Sequence, residues 1–311
     1  MADSMDIAEL EAGPRLITTG AAARKIAVTI DGSLDSGRLT PVVCLAGLNR
    51  NGEDFGAFVS HLHDMAAADW PVVRIDLIGR GGSTREIRGV PYSTMQDVAD
   101  AVSAVRALGV HRAIWVGQNH GGQVIQMLAT SHPGMIAGAV LCDSGPVIDV
   151  RGLVRLRNNL DFLADIRGET GFLEAYRQIL GVAYPLLPAS GLDKVALRTH
   201  RVGKRGRIEP RFDPRIVRGL DGFENSDVMS PQWQMFDALG HVPLMIMHTE
   251  LSDLLRIDVF DKMAQRRPGA IRIDIPNEGS PALLEGPSEA GSLAGFVSVV
   301  SDEDAGTRVP V

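Results

Sequence analysis

The sequence predicts an α/β fold with a mostly parallel, doubly wound sheet, and three observations support that prediction. Short apolar segments alternate with segments of helical periodicity over most of the chain. The apolar segments 41–46 and 113–116 are continuous, as expected of strands that helices cover on both faces. The second of them enters the glycine-rich turn 117–122, and the helical segment 123–130 follows. A strand, a tight turn and a helix in this order are typical of an α/β sheet.

Composition and charge exclude several classes of protein. With 311 residues and 45% hydrophobic content, the chain can bury a sizeable core. The net charge is -7, and no dense block of Lys and Arg is interleaved with aromatics, so we expect no nucleic-acid partner. No run of about 18 apolar residues occurs, so we expect no membrane association and a cytoplasmic location. Cys44 and Cys142 lie in apolar segments and are predicted to be buried thiols in a reducing compartment.

The N-terminal part begins with a predicted flexible acidic tail over residues 1–14. The stretches Arg15–Thr19 and 25–30 alternate between apolar and polar residues, and the pair Asp31-Gly32 is a turn signal. We interpret these features as an antiparallel hairpin at an edge of the sheet. The remaining predicted strands are the apolar segments 41–46, Val72–Asp76, 113–116, 137–142, 243–248 and Ile271–Ile275.

The predicted helices between these strands carry apolar residues at helical spacing. In segment 54–68 the apolar stripe consists of Phe55, Phe58, Val59, Leu62 and Met65. In segment 95–108 it consists of Val98, Val102, Val105 and Leu108. Strands that alternate with helices in this way imply right-handed crossover connections, which produce parallel strand pairs.

The alternation of strands and helices breaks after about residue 150. Helical patches occur at 152–166 and 172–180, but no convincing strand follows until about residue 230, so we predict a helical cap inserted in the core domain. The predicted boundaries are 15–149 for the first part of the core, 150–230 for the cap, 231–300 for the second part of the core and 301–311 for a C-terminal tail.

The cap contains a strongly basic segment, 198–218, with a local net charge of +6 in an acidic protein. Its basic residues are Arg198, Arg201, Lys204, Arg205, Arg207, Arg211, Arg215 and Arg218, and its acidic residues are Glu209 and Asp213. Two interpretations remain open. The segment is either a solvated face of the insertion or a lid whose charge favours an anionic ligand.

The turn 117–122 reads Gly-Gln-Asn-His-Gly-Gly and has the form of a nucleophile elbow. In the usual elbow, G-x-S-x-G, a serine stands at the centre of a strained bend, with its hydroxyl clear of the backbone. Here the central residue is Asn119. An amide is not deprotonated near neutral pH and does not form an acyl-enzyme, so the turn argues against ordinary serine chemistry.

Four segments together resemble the α/β-hydrolase superfamily. They are the elbow 117–122, the segment 45–50 (Leu-Ala-Gly-Leu-Asn-Arg), the turn 76–83 (Asp-Leu-Ile-Gly-Arg-Gly-Gly-Ser) and the segment 250–253 (Glu-Leu-Ser-Asp). The segments occur in the order of that family. The resemblance implies the α/β-hydrolase fold, and the motifs are most similar to those of small-substrate hydrolases that act on esters, lactones or C–C bonds beside a carbonyl.

The resemblance also implies roles for individual residues. It places Asn119 at the nucleophile, Asp253 at the acid and Ser280 at the position of the catalytic histidine. Two of the three catalytic positions are therefore changed, and only the carboxylate remains. The resemblance further implies an oxyanion hole formed by the backbone N–H of His120 and one N–H near Gly47 or Leu48. A site of this kind can bind a carbonyl oxygen without a serine nucleophile.

Other polar residues are weaker candidates for chemistry. His248, Glu250 and Glu278 are candidate acid–base groups, since the resemblance puts them at the same sheet edge. The ordinary interpretation is a strand-end histidine and two solvated loop carboxylates. The side chain of His120 is expected to have a structural role and to point away from the site. No spacing of His, Cys and carboxylates indicates a metal site, and we expect no cofactor.

Two hypotheses for function follow. The first is an enzyme that acts on a small carbonyl compound without a covalent serine. The alternative is a ligand-binding pseudoenzyme with a basic lid over a small acidic ligand. A scaffold protein has less support, because no amphipathic segment is left over once the fold is assigned. The expected partner is a small molecule, and the chain is a candidate homo-oligomer.

Overall fold

The structure is a computed structural model that describes residues 14–19, 24–34, 37–85 and 91–307. The predicted acidic tail lies outside the described residues, apart from its last position. None of the helices in the described ranges combines the length and the apolar character needed to span a lipid bilayer.

The described part of the chain forms one large sheet and one small sheet. The described strands are β1 (Arg15–Thr19), β2 (Arg24–Asp31), β3 (Val42–Leu45), β4 (Val72–Asp76), β5 (Ala113–Gln118), β6 (Ile136–Cys142), β7 (His200–Val202), β8 (Ile208–Pro210), β9 (Leu244–Thr249) and β10 (Ile271–Ile275). The large sheet has the order β1-β2-β4-β3-β5-β6-β9-β10. Its first two pairings are antiparallel and the others are parallel, which confirms the mostly parallel sheet.

Helices cover both faces of the large sheet. The described α-helices are α1 (Gly56–Ala66), α2 (Thr94–Ala107), α3 (His120–Ser131), α4 (Val150–Ala164), α5 (Glu169–Ala183), α6 (Ala189–Thr199), α7 (Pro214–Arg218), α8 (Trp233–Asp237), α9 (Ile257–Arg266) and α10 (Pro287–Thr307). Helices α2, α3, α8 and α9 contribute to the core on the face that contains Trp115. Helices α1 and α10 contribute to the core on the opposite face, which contains Val116. Successive residues of β5 are therefore buried on opposite faces, as in a strand covered on both sides.

The predicted edge hairpin is confirmed as an antiparallel pair, with β1 at the edge of the sheet. The Asp31-Gly32 turn has a different role from the predicted one. It does not join the two strands of the pair but ends β2 before the chain turns towards β3. Gly32 has a φ of 70°, and a Cβ there would contact the backbone of Trp70 and Asp69, so the turn requires glycine.

The inserted region consists of α4 to α7 and the strand pair β7–β8. Asp149 begins the insertion as the N-cap of α4, since its carboxylate accepts the N–H of Arg151 at 3.0 Å. The structure corrects the expectation that this region lacks strands, because β7 and β8 pair in antiparallel fashion. Each strand has only three residues, which is too short for an alternating pattern to be visible in the sequence.

The structure also corrects the C-terminal boundary. A tail was predicted from residue 301, but helix α10 continues to Thr307. Ser301 accepts the N–H of Thr40 at 2.9 Å, and Asp304 accepts the Thr40 hydroxyl at the same distance. Asp304 also pairs with Arg112 at 2.7 Å. These polar residues are buried because they have specific partners in distant parts of the chain. The prediction of a tail rested on polar composition alone, which does not show such partners.

Candidate active site

Asn119 lies on a strained bend between β5 and α3. Its backbone has a φ of 45° and a ψ of -109°, a combination that costs free energy for a residue with a side chain. The bend is possible because its neighbours are small. A Cβ on Gly117 would lie 2.5 Å from the backbone nitrogen of Gly122. The turn therefore has the geometry of a nucleophile elbow, with an amide where the hydroxyl would stand.

A cavity of about 960 Å³ opens above this bend. It lies between the carboxyl ends of the core strands and the inserted helices α4 and α5, which supply much of its wall. The apolar part of that wall includes Ile148, Leu153, Leu156, Leu160, Leu163, Ile179 and Leu180. A cavity of this size and character is typical of a site for a small organic ligand.

Asn119 and Ser280 face each other in this cavity. The amide Nδ2 of Asn119 donates to Ser280 Oγ at 2.6 Å and to the carbonyl oxygen of Asp143 at 3.3 Å. Ser280 lies in the loop after β10, at the position where the resemblance places a histidine. The two changed positions are therefore brought together in space and are joined by a hydrogen bond.

Asp143 is the carboxylate that continues this hydrogen-bonded chain. It follows β6 directly and is only 2% exposed, although its carboxyl group borders the cavity. The N–H and the hydroxyl of Thr249 each donate to the carboxylate at 2.8 Å. The hydroxyls of Ser252 and Ser280 also lie near this carboxylate and stabilise its charged form. Burial raises the pKa of Asp143 to about 7, even though these hydrogen bonds favour the charged form.

The sequence analysis missed Asp143. The available signal was its position immediately after the apolar segment 137–142, since the carboxyl ends of neighbouring parallel strands meet at one sheet edge. The resemblance instead indicates Asp253, which follows β9, as the acid. We call the chain of Asn119, Ser280 and Asp143 the polar triplet.

Asp253, the predicted acid, lies elsewhere on the cavity wall. Its side chain is 28% exposed, and its carboxylate is 3.6 Å from the guanidinium of Arg155 on α4. Burial raises the pKa of Asp253, and Arg155 opposes that effect. The carboxylate next to Ser280 is thus Asp143, and Asp253 is paired with Arg155 instead.

The predicted oxyanion donors lie around Asn119. His120, Gly47 and Leu48 all border the cavity. Within the described residues, no hydrogen-bond acceptor is bound to the backbone N–H of His120 or of Leu48. A Cβ on Gly47 would lie 3.4 Å from the amide oxygen of Asn119, so this loop is close to the elbow. Two N–H groups are therefore available on either side of Asn119.

The side chain of His120 points away from the polar triplet. Its Nε2 lies 2.7 Å from the carboxylate of Asp97, which also pairs with Arg80 at 3.3 Å. Burial alone would raise the pKa of Asp97, but Arg80 and His120 lower it further than burial raises it. The imidazole therefore anchors the start of α3, in agreement with its expected structural role.

The three candidate acid–base groups from the sequence have other partners. His248 Nε2 lies 3.0 Å from the Leu255 carbonyl oxygen, and the ring stacks on Phe260 at 5.0 Å. Burial lowers the pKa of His248, which favours the neutral form. Glu250 accepts the N–H of Asn277 at 2.8 Å. Burial raises the pKa of Glu278 to about 7, but this residue is not part of the described cavity wall.

The basic segment 198–218 does not form a charged lid over the cavity. None of its described side chains borders the cavity. Most of its arginines are held in ion pairs, of which Arg201 with Glu209 at 2.9 Å and Arg215 with Asp213 at 2.6 Å are examples. Of the two interpretations, the solvated face fits this geometry better than the basic lid, and the part of the insertion over the cavity is the apolar wall made by α4 and α5. The described residues also contain no group of three side chains placed to bind a metal ion.

Comparisons with known proteins agree with the fold described above. A family model described as alpha/beta hydrolase fold matches residues 40–165. A 3-hydroxybutyrate-oligomer hydrolase from Cupriavidus necator is 23% identical over 80% of this chain and 85% of that protein. Among solved structures, an alpha/beta hydrolase from Novosphingobium aromaticivorans is 28% identical, with a TM-score of 0.77, over 91% of this chain and 97% of that chain.

A second solved structure, that of an E-2-(acetamidomethylene)succinate hydrolase, resembles the chain more distantly in sequence. It is 19% identical, with a TM-score of 0.73, and the match covers 92% of this chain and 98% of that chain. At this identity the likeness concerns the fold alone. The match nevertheless extends through the inserted helices as well as the core sheet.

Proposed function

We propose that the chain, a member of the α/β-hydrolase superfamily, is an enzyme that acts on a small carbonyl compound without a covalent serine. Esters, lactones and C–C bonds next to a carbonyl are the reaction classes. The relative named as a 3-hydroxybutyrate-oligomer hydrolase supports an ester as the first class to test. The observation that carries the proposal is the polar triplet, in which Asn119 and Ser280 take the positions of nucleophile and base and Asp143 completes the chain.

The carbonyl oxygen of the substrate binds between the two available N–H groups. The N–H of His120 comes from the start of α3, and the N–H of Leu48 comes from the loop after β3. Donors that are fixed in this way stabilise the negative charge that develops on the oxygen in the transition state. They act on any carbonyl substrate and do not require a serine nucleophile.

Ser280 lies between the attacking water molecule and Asp143 in the proposed site. A hydroxyl group can donate one hydrogen bond and accept two. Ser280 donates to the Asp143 carboxylate and accepts from Asn119, which leaves one acceptor position for a water molecule. A carboxyl with a pKa of about 7 is a far better proton acceptor near neutral pH than an ordinary aspartate.

For an ester, the proposed step balances as follows. The water oxygen forms a bond to the carbonyl carbon while one water proton moves to Ser280 Oγ. The proton of Ser280 passes to the Asp143 carboxylate, and the electron pair of the C=O bond moves to the oxygen held by the N–H groups. The tetrahedral intermediate then expels the alkoxide, which takes the proton back from Asp143 through Ser280.

Hydrolysis of activated short-chain esters and lactones tests this proposal. The set comprises the wild type, Asp143→Asn and Ser280→Ala, with Asp193→Asn as a control that removes a carboxylate on the outer surface of the cap. We expect turnover that resists serine-directed inhibitors and falls about 10²- to 10⁴-fold in Asp143→Asn. Background rates in the wild type over the whole panel would reject the proposal. Saturable binding in that case would support the ligand-binding alternative.

A further inference from the structure

Arg50 is a buried cation in the wall of the same cavity. Its side chain is only 7% exposed, and its guanidinium binds the Asp54 carboxylate in a bidentate arrangement through Nε and Nη2, the latter at 2.6 Å. A Cβ on Gly47 would lie 3.5 Å from Arg50 Cγ and 3.4 Å from the amide oxygen of Asn119. Arg50 and the polar triplet therefore border the same part of the cavity.

One edge of the Arg50 guanidinium has no protein partner. No acceptor in the described part of the chain binds Nη1, and this atom is not among the buried polar atoms that are enclosed without a partner. Since Arg50 borders the cavity, Nη1 is the donor left for a ligand in that space. An arginine carries five N–H donors, and Asp54 uses only the edge formed by Nε and Nη2.

Asp54 does not neutralise the whole cluster, because it is shared. Nη1 of Arg198 lies 3.9 Å from the Asp54 carboxylate and has no hydrogen-bond partner. Arg198 also pairs with Glu285, whose side chain is 39% exposed and therefore screened by solvent. Burial and the nearby charge of Arg50 together lower the pKa of His200 to about 4. Arg50 and Arg198 thus share one buried carboxylate, that of Asp54, beside the cavity.

The other described arginines of the cavity wall differ from Arg50. Arg151, Arg155 and Arg256 lie at the mouth, with side chains 56%, 62% and 55% exposed. Each has a carboxylate partner within 3.6 Å. A ligand charge at the mouth would be screened, whereas a charge at Arg50 would be held in a dry site where charge-assisted hydrogen bonds are stronger.

We propose that Arg50 anchors a carboxylate of the ligand. The free edge of the guanidinium presents two parallel N–H donors, which match the two oxygens of a carboxylate. The substrate class is then a small carbonyl compound that also carries a carboxylate, such as a keto acid or a half-ester. The carbonyl part of this description depends on the proposed function, but the carboxylate part depends on Arg50 alone.

Calorimetric binding of matched acids and esters tests this inference. The probes are phenylglyoxylate and 4-oxo-4-phenylbutanoate, each compared with its methyl ester. The acids are ketones without a hydrolysable bond. Each methyl ester is analysed for hydrolysis after its titration, and its binding is accepted only where the ester is intact. We expect the wild type to bind at least one acid about 10- to 100-fold more tightly than its ester.

Two double variants separate the role of Arg50 from folding effects. Arg50→Gln with Asp54→Asn removes both charges of the pair, so no buried carboxylate is left alone. Arg177→Gln with Asp193→Asn removes a comparable bidentate pair from the cap surface, where both N–H···O distances are 2.6 Å. The first variant is expected to lose the preference for the acid, and the second to keep it.

Arg50→Lys is measured in parallel, because it keeps the charge and is expected to fold even if the double variant does not. We expect a weakened preference, since an ammonium group lacks the paired donors. Equal binding of acid and ester to the wild type, no binding of either acid, or full preference in the Arg50 variants would overturn the inference. A preference that depends on Arg50 in a protein without turnover would leave the inference standing and remove the proposed enzyme.

Discussion

Asp143 and Asp253 line the same cavity from the ends of neighbouring parallel strands, β6 and β9. Asp143 is 2% exposed, its carboxylate accepts two hydrogen bonds from Thr249, and the hydroxyls of Ser252 and Ser280 lie nearby. The side chain of Asp253 is 28% exposed and has the cation Arg155 as its partner. Chain order and resemblance favour Asp253 as the acid. The hydrogen bonds favour Asp143, because it is the carboxylate that Ser280 contacts.

The difference arises from the distance of each residue from its strand. Asp143 follows β6 without an intervening residue, and its N–H bonds to the carbonyl of Met247 in β9 at 2.9 Å. Its carboxylate is therefore fixed against Thr249. Asp253 lies four residues beyond the end of β9, where its backbone packs against Gly152 of α4. This contact with the cap holds Asp253 away from the centre of the site.

The largest expected effect separates the two carboxylates directly. Asn119→Ser with Ser280→His places a serine and an imidazole at positions that are already joined by a 2.6 Å hydrogen bond. We expect this double variant to hydrolyse p-nitrophenyl acetate with a burst, which indicates an acyl-enzyme. Adding Asp143→Asn is expected to reduce kcat by about 10⁴-fold, because the imidazole loses the group that orients it.

Adding Asp253→Asn to the same double variant is the matched control, with an expected loss of less than about 10-fold. A large loss with Asp253→Asn and a small one with Asp143→Asn would reverse the assignment of the two carboxylates. The burst amplitude is measured with each variant, so that a change in the amount of active protein is separated from a change in rate.

The next effect concerns stability as a function of pH. The pKa of Asp143 is raised from 3.8 to about 7. Between about pH 4 and about pH 7 this carboxyl is therefore protonated in the folded state and ionised in the unfolded state. The free energy of unfolding therefore falls as the pH rises from about 4 to about 7. For Asp143 alone the fall is at most about 4 kcal/mol. Urea unfolding at several pH values should show a smaller fall in Asp143→Asn.

Glu278 contributes in the same direction, because its pKa is raised from 4.5 to about 7. Glu278→Gln is therefore measured beside Asp143→Asn, and each substitution should remove part of the fall. Asp253→Asn provides the comparison. The pKa of Asp253 is also raised by burial, but Arg155 opposes that effect, so this substitution should remove the smallest part of the fall. A fall that is unchanged in Asp143→Asn would mean that this carboxyl is ionised in the folded protein throughout the range.

A smaller effect is expected from Ser252→Ala. The hydroxyl of Ser252 is one of the groups that lower the pKa of Asp143, because it stabilises the charged form. Without it we expect the pKa to rise above about 7. The ¹³C chemical shift of the Asp143 carboxyl, followed by NMR against pH, measures this directly. An unchanged or lowered midpoint would show that Ser252 does not donate to Asp143.

The smallest effect is expected in the basic segment. Arg201 is 70% exposed and pairs with Glu209 at 2.9 Å on the surface of the cap. Arg201→Gln should change the free energy of unfolding by no more than about 0.5 kcal/mol, since exposed ion pairs contribute little. Binding of anionic ligands should not change. A loss of binding greater than about 3-fold would restore the basic lid as a ligand site.

More of the fold than of the site could be predicted from the sequence. Segments such as Val72–Asp76 and Ile271–Ile275 have the predicted bounds, because a continuous or alternating apolar pattern is typical of a strand. Helix α9 was not predicted, since only Val259, Phe260 and Met263 are buried among many charged residues. Local patterns are sufficient for long buried elements and insufficient for short, charged ones.

The site depends on contacts between distant residues. Asp143 receives its donors from Thr249, 106 residues further along the chain, and from Ser280 in the loop after β10. No local pattern reports such a contact. The elbow was predictable because the strained bend requires glycines at fixed spacing, whereas the partner of each polar side chain depends on the tertiary fold.

The pH dependence of kcat/KM tests most directly whether Asp143 is the working base. It is measured on the best ester of the panel with the wild type, Asp143→Asn and Asp253→Asn. A base must be ionised, so the rate should rise with pH to a plateau, with a midpoint near 7 in the wild type and in Asp253→Asn. The rise should disappear in Asp143→Asn. Retention of the rise in Asp143→Asn, or its loss in Asp253→Asn, would contradict the assignment of Asp143.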